Sequence, residues 1–264
     1  MNRIEERFQR LKQKGQKGFI VYIGAGDPNL DATYDLALAF DDIDVDVLEL
    51  GVPFSDPLAD GLVNQLAAQR GLDAGTTTAN VLETVAKIRE KSKIPIVLYV
   101  YFNLLHKRGL KKFVLDAAKV GVDGLLVLDL PPEESEDYES LMAEVGMCPI
   151  YLVAPTTSPD RVGLIVRRGK GFIYYVSREG VTGMQSTVSD SVGEMTAIIR
   201  QNTNVPIAVG FGISNPKQVA QVAQNADAVV VGSAIVNQIA EKGKSVDLVS
   251  HVKAFTADLI TGIR

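Results

Sequence analysis

The feature that most constrains this fold is a regular alternation between short apolar runs and helix-like stretches. Eight apolar runs recur along the 264 residues, each short, continuous and rich in β-branched side chains. Such runs are typical of strands that are buried on both faces, as in parallel sheets. Several of the intervening stretches open on a capping residue or a proline, as helices do. The predicted strands are residues 18–23, 45–50, 94–101, 124–128, 149–153, 172–176, 206–209 and 228–231.

This alternation predicts an α/β protein with the architecture of a (β/α)8 barrel, or TIM barrel. An open, doubly wound sheet is the alternative that the pattern leaves open. Residues 4–11 predict an extra N-terminal helix, and residues 62–72 predict a short helix added to a βα loop. Because no linker, low-complexity tract or shift of composition divides the sequence, we expect residues 1–264 to form a single domain.

Composition limits the classes of function. The sequence has a formal charge of −5, which argues against a dedicated nucleic-acid-binding protein, and no apolar run long enough for a membrane span. Its one cysteine, Cys148, excludes an intrachain disulfide and suits a reducing compartment, so we expect a cytoplasmic protein. With His106 and His251 it makes a poor ligand set for zinc, so we expect no metal.

The stretch from Leu48 to Gly61 predicts the reactive end of the barrel. It reads Leu-Glu-Leu-Gly-Val-Pro-Phe-Ser-Asp-Pro-Leu-Ala-Asp-Gly, a strand end followed by a loop of turn residues. Strand alternation places Glu49 on the face of Val45 and Val47; if that face is the barrel interior, burial raises the pKa of this carboxyl group. Asp60, in a looser polar loop, should stay ionised. Two such carboxyl groups suit acid–base catalysis, although a salt-bridged strand end and a turn-forming aspartate remain the alternative.

Small residues after the seventh and eighth strands predict a phosphate site. Gly212 follows strand seven, and Gly232 and Ser233 follow strand eight. Glycines let the backbone approach an anion closely, and a helix that begins at Ser233 would direct its N–H groups and dipole at that anion. Thr182 and Gly183 lie in a long loop after strand six that is placed to close over the same group. The alternative for this loop is a flexible surface connection.

The sequence resembles the tryptophan synthase α subunit family along nearly its whole length. The stretch at 48–61 looks like the long signature of that family. The resemblance continues through Gly26-Asp-Pro28, Tyr101-Phe-Asn103, Asp129-Leu-Pro-Pro-Glu-Glu134, Ser177-Arg-Glu-Gly-Val-Thr-Gly183, Gly210-Phe-Gly-Ile-Ser214 and Gly232-Ser-Ala-Ile-Val236. It implies a lyase that cleaves indole-3-glycerol phosphate to indole and glyceraldehyde 3-phosphate in a retro-aldol reaction, without a cofactor or metal.

The resemblance also implies a role for each site residue. Glu49 would be the acid and base at the indole C3 and the glycerol hydroxyl, and Asp60 would accept the indole N–H and stabilise its positive charge. Tyr174 falls at the active-site tyrosine of the family. Asn64 departs from the family pattern, in which an apolar residue contacts the indole. The implied substrate pocket contains Tyr22, Asn64, Tyr101, Thr182 and Phe211.

A partner is implied as well, namely the tryptophan synthase β subunit in an αββα heterotetramer. Docking of the loop at 53–58 should fix Asp60, and closure of residues 178–189 should exclude water from Glu49. Weak activity of the isolated chain and stimulation by the β subunit would follow. The residues expected to face the partner are Pro53, Ser55, Asp56, Pro57 and Asn103.

Two other functions stay open on the sequence. One is another phosphate-binding barrel enzyme of the same pathway, such as an isomerase or a synthase that makes the same indole compound. Those enzymes use lysine or differently placed acids, and no lysine stands at the ends of predicted strands two to six. The other is a regulatory subunit that has lost activity, and Asn64 is the only sequence feature that supports it.

Overall fold

The predicted strands close into a barrel in a computed structural model of the chain. The structure describes residues 1–177, 185–210 and 212–264, with residues 185–191 described by their backbone alone. Parallel pairing follows chain order from the first strand to the eighth, which pairs back with the first. The (β/α)8 barrel is confirmed, and the open sheet is excluded. The strands are β1 (Gly18–Gly24), β2 (Val47–Gly51), β3 (Ile96–Val100), β4 (Gly124–Val127), β5 (Cys148–Val153), β6 (Ile173–Val176), β7 (Ile207–Gly210) and β8 (Ala228–Val231).

Helices surround this barrel and include the predicted extra ones. An N-terminal helix precedes β1, and short helices are added after β2 and β3, besides a 3₁₀ turn at Pro132–Glu134. Among the described helices none is long and apolar enough to cross a membrane. The helices are α1 (Arg3–Lys14), α2 (Leu30–Asp41), α3 (Leu62–Asp73), α4 (Thr78–Arg89), α5 (Phe102–Arg108), α6 (Leu110–Val120), α7 (Glu136–Val145), α8 (Pro159–Arg168), α9 (Gln185–Asn202), α10 (Pro216–Ala223), α11 (Ser233–Lys242) and α12 (Leu248–Ile260).

Two apolar layers hold the barrel together. The larger layer lies between the strands and the surrounding helices, and the smaller one fills the barrel interior. Helix α1 closes the N-terminal end of the interior with Ile4, Phe8 and Leu11, and the ring of Phe8 lies 5.8 Å from that of Phe172. Val47 packs in the interior as expected, but Val45 packs in the outer layer. The prediction for Val45 is wrong because β2 begins only at Val47, so strand alternation does not reach back to it.

Three aspartates fix the N-terminal ends of the strands. Each stands directly before a strand, accepts the backbone N–H at the start of the strand that precedes it in the barrel, and also pairs with an arginine. Ordinary surface ion pairs contribute little, but a carboxylate that accepts a backbone N–H and is screened from water is costly to disturb. The three are Asp46, which accepts from Phe19 at 2.7 Å, Asp123, which accepts from Ile96 at 2.8 Å, and Asp227, which accepts from Ile207 at 2.9 Å.

Asp123 is the most heavily engaged of the three. Its carboxylate accepts from Arg3 at 2.7 Å and from Arg89 at 2.8 Å, so it ties α1 and α4 to the barrel. Burial lowers the pKa of Arg89 to about 10, against the opposing effect of Asp123. The charge of Asp123 is therefore needed to keep a largely buried guanidinium in place.

Replacing this charge should destabilise the fold. Asp123→Asn keeps the shape of the side chain but leaves the Arg89 guanidinium without its counter-charge, so we expect a loss of about 3 kcal/mol in the free energy of unfolding. The matched variant Asp227→Asn loses an ion pair whose aspartate side chain is 32% exposed, and should cost about 1 kcal/mol. Urea unfolding of both variants measures the two costs. Equal losses would contradict the importance of the Arg89 pair.

Candidate active site

A cavity of about 350 Å³ opens at the C-terminal ends of the strands. This is the face at which barrel enzymes place their catalytic groups. Leu128 and Leu152 contribute apolar walls to this cavity. The predicted site residues that line it are Tyr22, Asp60, Asn64, Tyr174, Gly212, Gly232 and Ser233.

A larger groove, of about 580 Å³, lies at the opposite end of the barrel beside α1. Its walls include Arg3 and Asp123, which belong to the ion pairs described above. None of the predicted site residues lines this groove. Within the described ranges no group of three histidine, cysteine or acidic side chains is arranged to hold a metal ion. The cavity at the C-terminal end is therefore the candidate active site.

Glu49 is the most unusual acid in the described part of the chain. It lies on β2 beside Val97 of β3 and points into the barrel interior. Its side chain is 0% exposed, and neither carboxyl oxygen has a hydrogen-bond partner among the described residues. Burial raises its pKa to about 8, as the strand pattern predicts, because an unpaired charge is unfavourable in such surroundings. The group is therefore mainly protonated at neutral pH. It is not among the residues that line the cavity.

Asp60 differs from Glu49 because both of its carboxylate oxygens are hydrogen bonded. The Tyr99 hydroxyl donates to Oδ1 at 2.7 Å, and the Tyr101 hydroxyl donates to Oδ2 at 2.8 Å. Burial raises the pKa of Asp60, and the hydrogen bonds from Tyr99, Tyr101 and Asn64 oppose that rise. The expectation of a looser polar loop is wrong, since Asp60 is only 9% exposed. The loop folds back over the end of β3, where the two hydroxyls lie.

Tyr99 is a site residue that sequence reasoning missed. It lies on β3 with its side chain on the interior face, opposite Gly51 of β2, and it lines the cavity. Its ring packs edge-on against that of Tyr22 at 4.9 Å between centroids. Gly51 leaves room for this pair, because a Cβ there would collide with the Tyr22 hydroxyl. The available signal was strand alternation, which puts Tyr99 on the same face as Val97.

Tyr101, by contrast, does not line the cavity. Its hydroxyl accepts the Ala59 N–H at 3.0 Å while it donates to Asp60, so it reaches the site only through that aspartate. The side chain is 4% exposed and its ring lies 5.1 Å from that of Phe54. Tyr101 was predicted to line the pocket, but in the structure it supports the loop that carries Asp60.

Tyr174 faces the cavity from β6. Burial and the nearby Glu49 charge raise the pKa of its hydroxyl, so it stays protonated over the physiological range. Gly210, at the end of β7, makes room for it, because a Cβ there would lie 2.6 Å from the Tyr174 hydroxyl oxygen. The absence of a side chain at Gly210 therefore gives the Tyr174 hydroxyl the space that it occupies.

The predicted phosphate residues that can be described lie together on one side of the cavity. Helix α11 begins at Ser233, with Gly232 before it, so the free N–H groups of its first turn lie beside the cavity. A Cβ added at Gly212 would meet nothing within 4 Å. The predictions for Thr182, Gly183 and Phe211 lie outside the described residues.

Asn64 lies on α3 beside Asp60. Its Oδ1 atom is buried and has no hydrogen-bond partner in the described ranges. The neighbouring Gln65 donates from Nε2 to the backbone carbonyl of Asp60 at 2.8 Å.

The loop that follows β2 presents most of the expected partner-facing residues. In this loop Ser55 and Asp56 are exposed and Pro57 is half-buried, while Asn103 lies in α5 after β3 and is also exposed. Pro53 is buried instead, because α3 packs on it; a Cβ at Gly71 of that helix would lie 2.8 Å from the Pro53 ring. Pro53 was expected to face the partner, but in the structure it packs against α3.

The fold and the site together define a (β/α)8 barrel with a cavity at its C-terminal face, lined by Asp60 and by the first residue of α11. The sequence profile of the tryptophan synthase alpha chain matches residues 8–260. The chain is 50% identical to the tryptophan synthase alpha chain of Opitutus terrae over 100% of both chains, and 44% identical to that of Geobacter sp. strain M21 over 100% of this chain and 98% of the relative. The chain belongs to the tryptophan synthase alpha chain family.

Solved structures agree with this assignment. Tryptophan synthase subunit alpha from Legionella pneumophila superposes with a TM-score of 0.89 at 35% identity, over 99% of this chain and 98% of that one. A chain of tryptophan synthase from M. tuberculosis superposes with a TM-score of 0.90 at 28% identity, over 100% and 99%. The enzyme is thus a carbon–carbon lyase of tryptophan biosynthesis, and another phosphate-binding barrel enzyme of the same pathway is excluded.

The raised pKa of Glu49 predicts how stability depends on pH. In the unfolded chain Glu49 ionises near its ordinary pKa of 4.5, whereas the folded chain keeps the proton up to about 8. Between these values the unfolded state binds fewer protons, so the free energy of unfolding falls as the pH rises. Glu49→Gln cannot ionise, so it should gain a few kcal/mol on the wild type between pH 5 and pH 8. Urea unfolding at both pH values measures this gain, and a constant difference between the two proteins would contradict the assignment.

Proposed function

We propose that the cavity binds indole-3-glycerol phosphate and that Glu49, Asp60 and Tyr174 carry its cleavage to indole and glyceraldehyde 3-phosphate. The observation that carries the proposal is the contrast between the two acids at one end of the barrel. Glu49 is unpaired and holds a proton, while Asp60 is hydrogen bonded on both oxygens. Such a contrast separates the acid from the charge-stabilising group.

The reaction needs one proton delivered and one removed. Protonation of the indole C3 weakens its bond to the glycerol carbon, and the glycerol hydroxyl must lose its proton as the aldehyde forms. Glu49, protonated at neutral pH, gives its proton to C3 and, once ionised, takes the hydroxyl proton. The carboxyl group then ends in its starting state, so no other proton donor is consumed. Because Glu49 does not line the cavity, we infer that its carboxyl group turns toward the substrate on binding.

Asp60 acts on the opposite end of the indole. Positive charge builds on the indole nitrogen when C3 is protonated, and a fixed carboxylate stabilises that charge. Each carboxylate oxygen has a lone pair left after it accepts one tyrosine hydroxyl, so Asp60 is still able to accept the indole N–H. Tyr174 faces the same cavity as a hydroxyl donor that stays neutral.

The phosphate is held, on this proposal, mainly by backbone N–H groups. Those of Gly212, Gly232 and Ser233 line the cavity, and the dipole of α11 favours an anion there. Gly183 and Thr182 are proposed to complete the cradle. In a chain of net charge −5 such local dipoles replace a general positive field. Tyr22, Asn64 and Phe211 are proposed to contact the substrate ring, and the enzyme needs no cofactor.

Family membership implies a tryptophan synthase β-subunit partner, and we infer an αββα heterotetramer. The exposed Ser55, Asp56 and Asn103 support a docking surface at this end of the barrel. Leu58, in the same loop as Ser55 and Asp56, is 93% exposed and adds an apolar group to this surface. Indole is apolar, so direct transfer to a partner avoids its loss to water. We also propose a cytoplasmic, single-domain protein, which is supported by the pairing of β1 with β8 and by the lone cysteine.

Replacing the carboxyl group of Glu49 should strongly reduce turnover. Glu49→Gln keeps the shape of the side chain but cannot exchange a proton, so we expect indole release to fall about 10²–10⁴-fold with the fold intact. The measurement is indole formation from indole-3-glycerol phosphate by the purified chain, with and without a β chain. Wild-type turnover in this variant would refute the assignment, and a wild-type chain that is inactive in both conditions would favour the regulatory alternative.

A side chain at Gly212 should weaken substrate binding without harming the fold. Gly212→Val places methyl groups in the open space beside the proposed phosphate, so we expect the KM to rise about tenfold or more while the melting temperature stays unchanged. Gly193→Val is the matched control, because Gly193 does not line the cavity and a Cβ there makes only ordinary contacts. Equal KM values in both variants would place the phosphate elsewhere.

A further inference from the structure

The Asp60 carboxylate is anchored to the barrel itself. Tyr99 lies within β3, which pairs with β2 on one side and β4 on the other, so the backbone of this residue is fixed by two neighbouring strands. Its ring is held by the edge-on contact with Tyr22. The hydroxyl that donates to Asp60 at 2.7 Å therefore has its place set by the sheet rather than by the loop.

The backbone around Asp60 is held by further bonds within the same chain. Tyr101, directly after β3, donates to Oδ2 of Asp60 and accepts the Ala59 N–H. The Gln65 side chain of α3 binds the Asp60 carbonyl, and the Asp60 N–H donates to the Pro57 carbonyl at 3.0 Å. The aspartate is thus fixed on its carboxylate, its carbonyl and its amide without any second chain.

We propose that Tyr99 is a positioning residue that holds Asp60 in its working place through a hydrogen bond made within this chain. The inference rests on the role proposed above for Asp60. It adds an anchor in the barrel to the expected effect of partner docking on Asp60.

The inference predicts a change in Asp60 rather than a general loss of stability. Tyr99→Phe keeps the ring that packs on Tyr22 and removes only the hydroxyl, so one oxygen of the ionised carboxylate loses its donor. The other titratable groups around Asp60 are Glu49 on β2, Tyr22 on β1, Tyr101 after β3 and Tyr174 on β6. None of them is altered by the substitution, and Tyr101 still donates to the second oxygen.

The first experiment follows Asp60 without using the reaction. Carbon-13 NMR of the aspartate carboxyl groups titrates Asp60 in the wild type, in Tyr99→Phe and in Tyr138→Phe, with Asp60→Asn assigning the signal. We expect an upward shift of about one pH unit in Tyr99→Phe, because a hydrogen bond to the charged form has been lost. Tyr138→Phe is the matched control, since Tyr138 is a buried tyrosine whose hydroxyl donates to Leu125 outside the site. An unshifted titration in Tyr99→Phe would overturn the proposal.

The second experiment measures indole formation with and without a tryptophan synthase β chain whose binding is shown separately. We expect Tyr99→Phe to lose about tenfold in turnover both alone and in the complex, because the hydroxyl that holds Asp60 is missing in either condition. Tyr99→Phe should have no further effect in an Asp60→Asn background.

Full activity of Tyr99→Phe, alone or in the complex, would overturn the inference. If no protein forms indole in either condition, the proposed function fails instead, and the titration of Asp60 still decides the role of Tyr99. The two failures are therefore distinguishable.

Discussion

The closure of the sheet between β1 and β8 is the constraint on which the rest of this structure depends. In a closed barrel alternate side chains point into an interior that water does not reach. A polar side chain at such a position is therefore costly unless it is hydrogen bonded or uncharged. Most of the inward positions hold aliphatic or small side chains, sealed by α1 at the N-terminal end. Toward the C-terminal end the interior side chains become Glu49 and a group of tyrosines. The catalytic face is thus where the apolar filling of the barrel ends.

The same dry interior has different effects on the two acids. Glu49 has no donor among the described residues, so burial acts on it unopposed and it keeps its proton. Asp60 enters from a loop and meets two hydroxyls that stabilise its ionised form. The difference between them comes from hydrogen-bond donors rather than from depth of burial alone. The pKa of each acid at the mouth of the barrel can therefore be set separately by its own hydrogen-bond donors, although both acids share the same dry surroundings.

The sequence predicted the parts of the site that follow from local pattern. Strand periodicity located Glu49, and glycines after the last strands located the side of the cavity at which α11 begins. It failed where tertiary contacts decide. Asp60 lies 39 residues before Tyr99 in the chain, and no local sequence pattern shows that its loop folds back over the end of β3. Pro53 was expected to face a partner but is covered by α3, and Val45 lies two residues before its strand begins. Tyr99 is different, since alternation along β3 was enough to find it.

The account depends most directly on the protonation state of Glu49, because that group must hold a proton before it is able to deliver one. Infrared difference spectroscopy of the ligand-free chain resolves the carbonyl band of a protonated carboxylic acid, and Glu49→Gln assigns that band. The account predicts that the band is present at pH 7 and titrates with a midpoint of about 8. A Glu49 carboxyl group that is already ionised at pH 6 would contradict it.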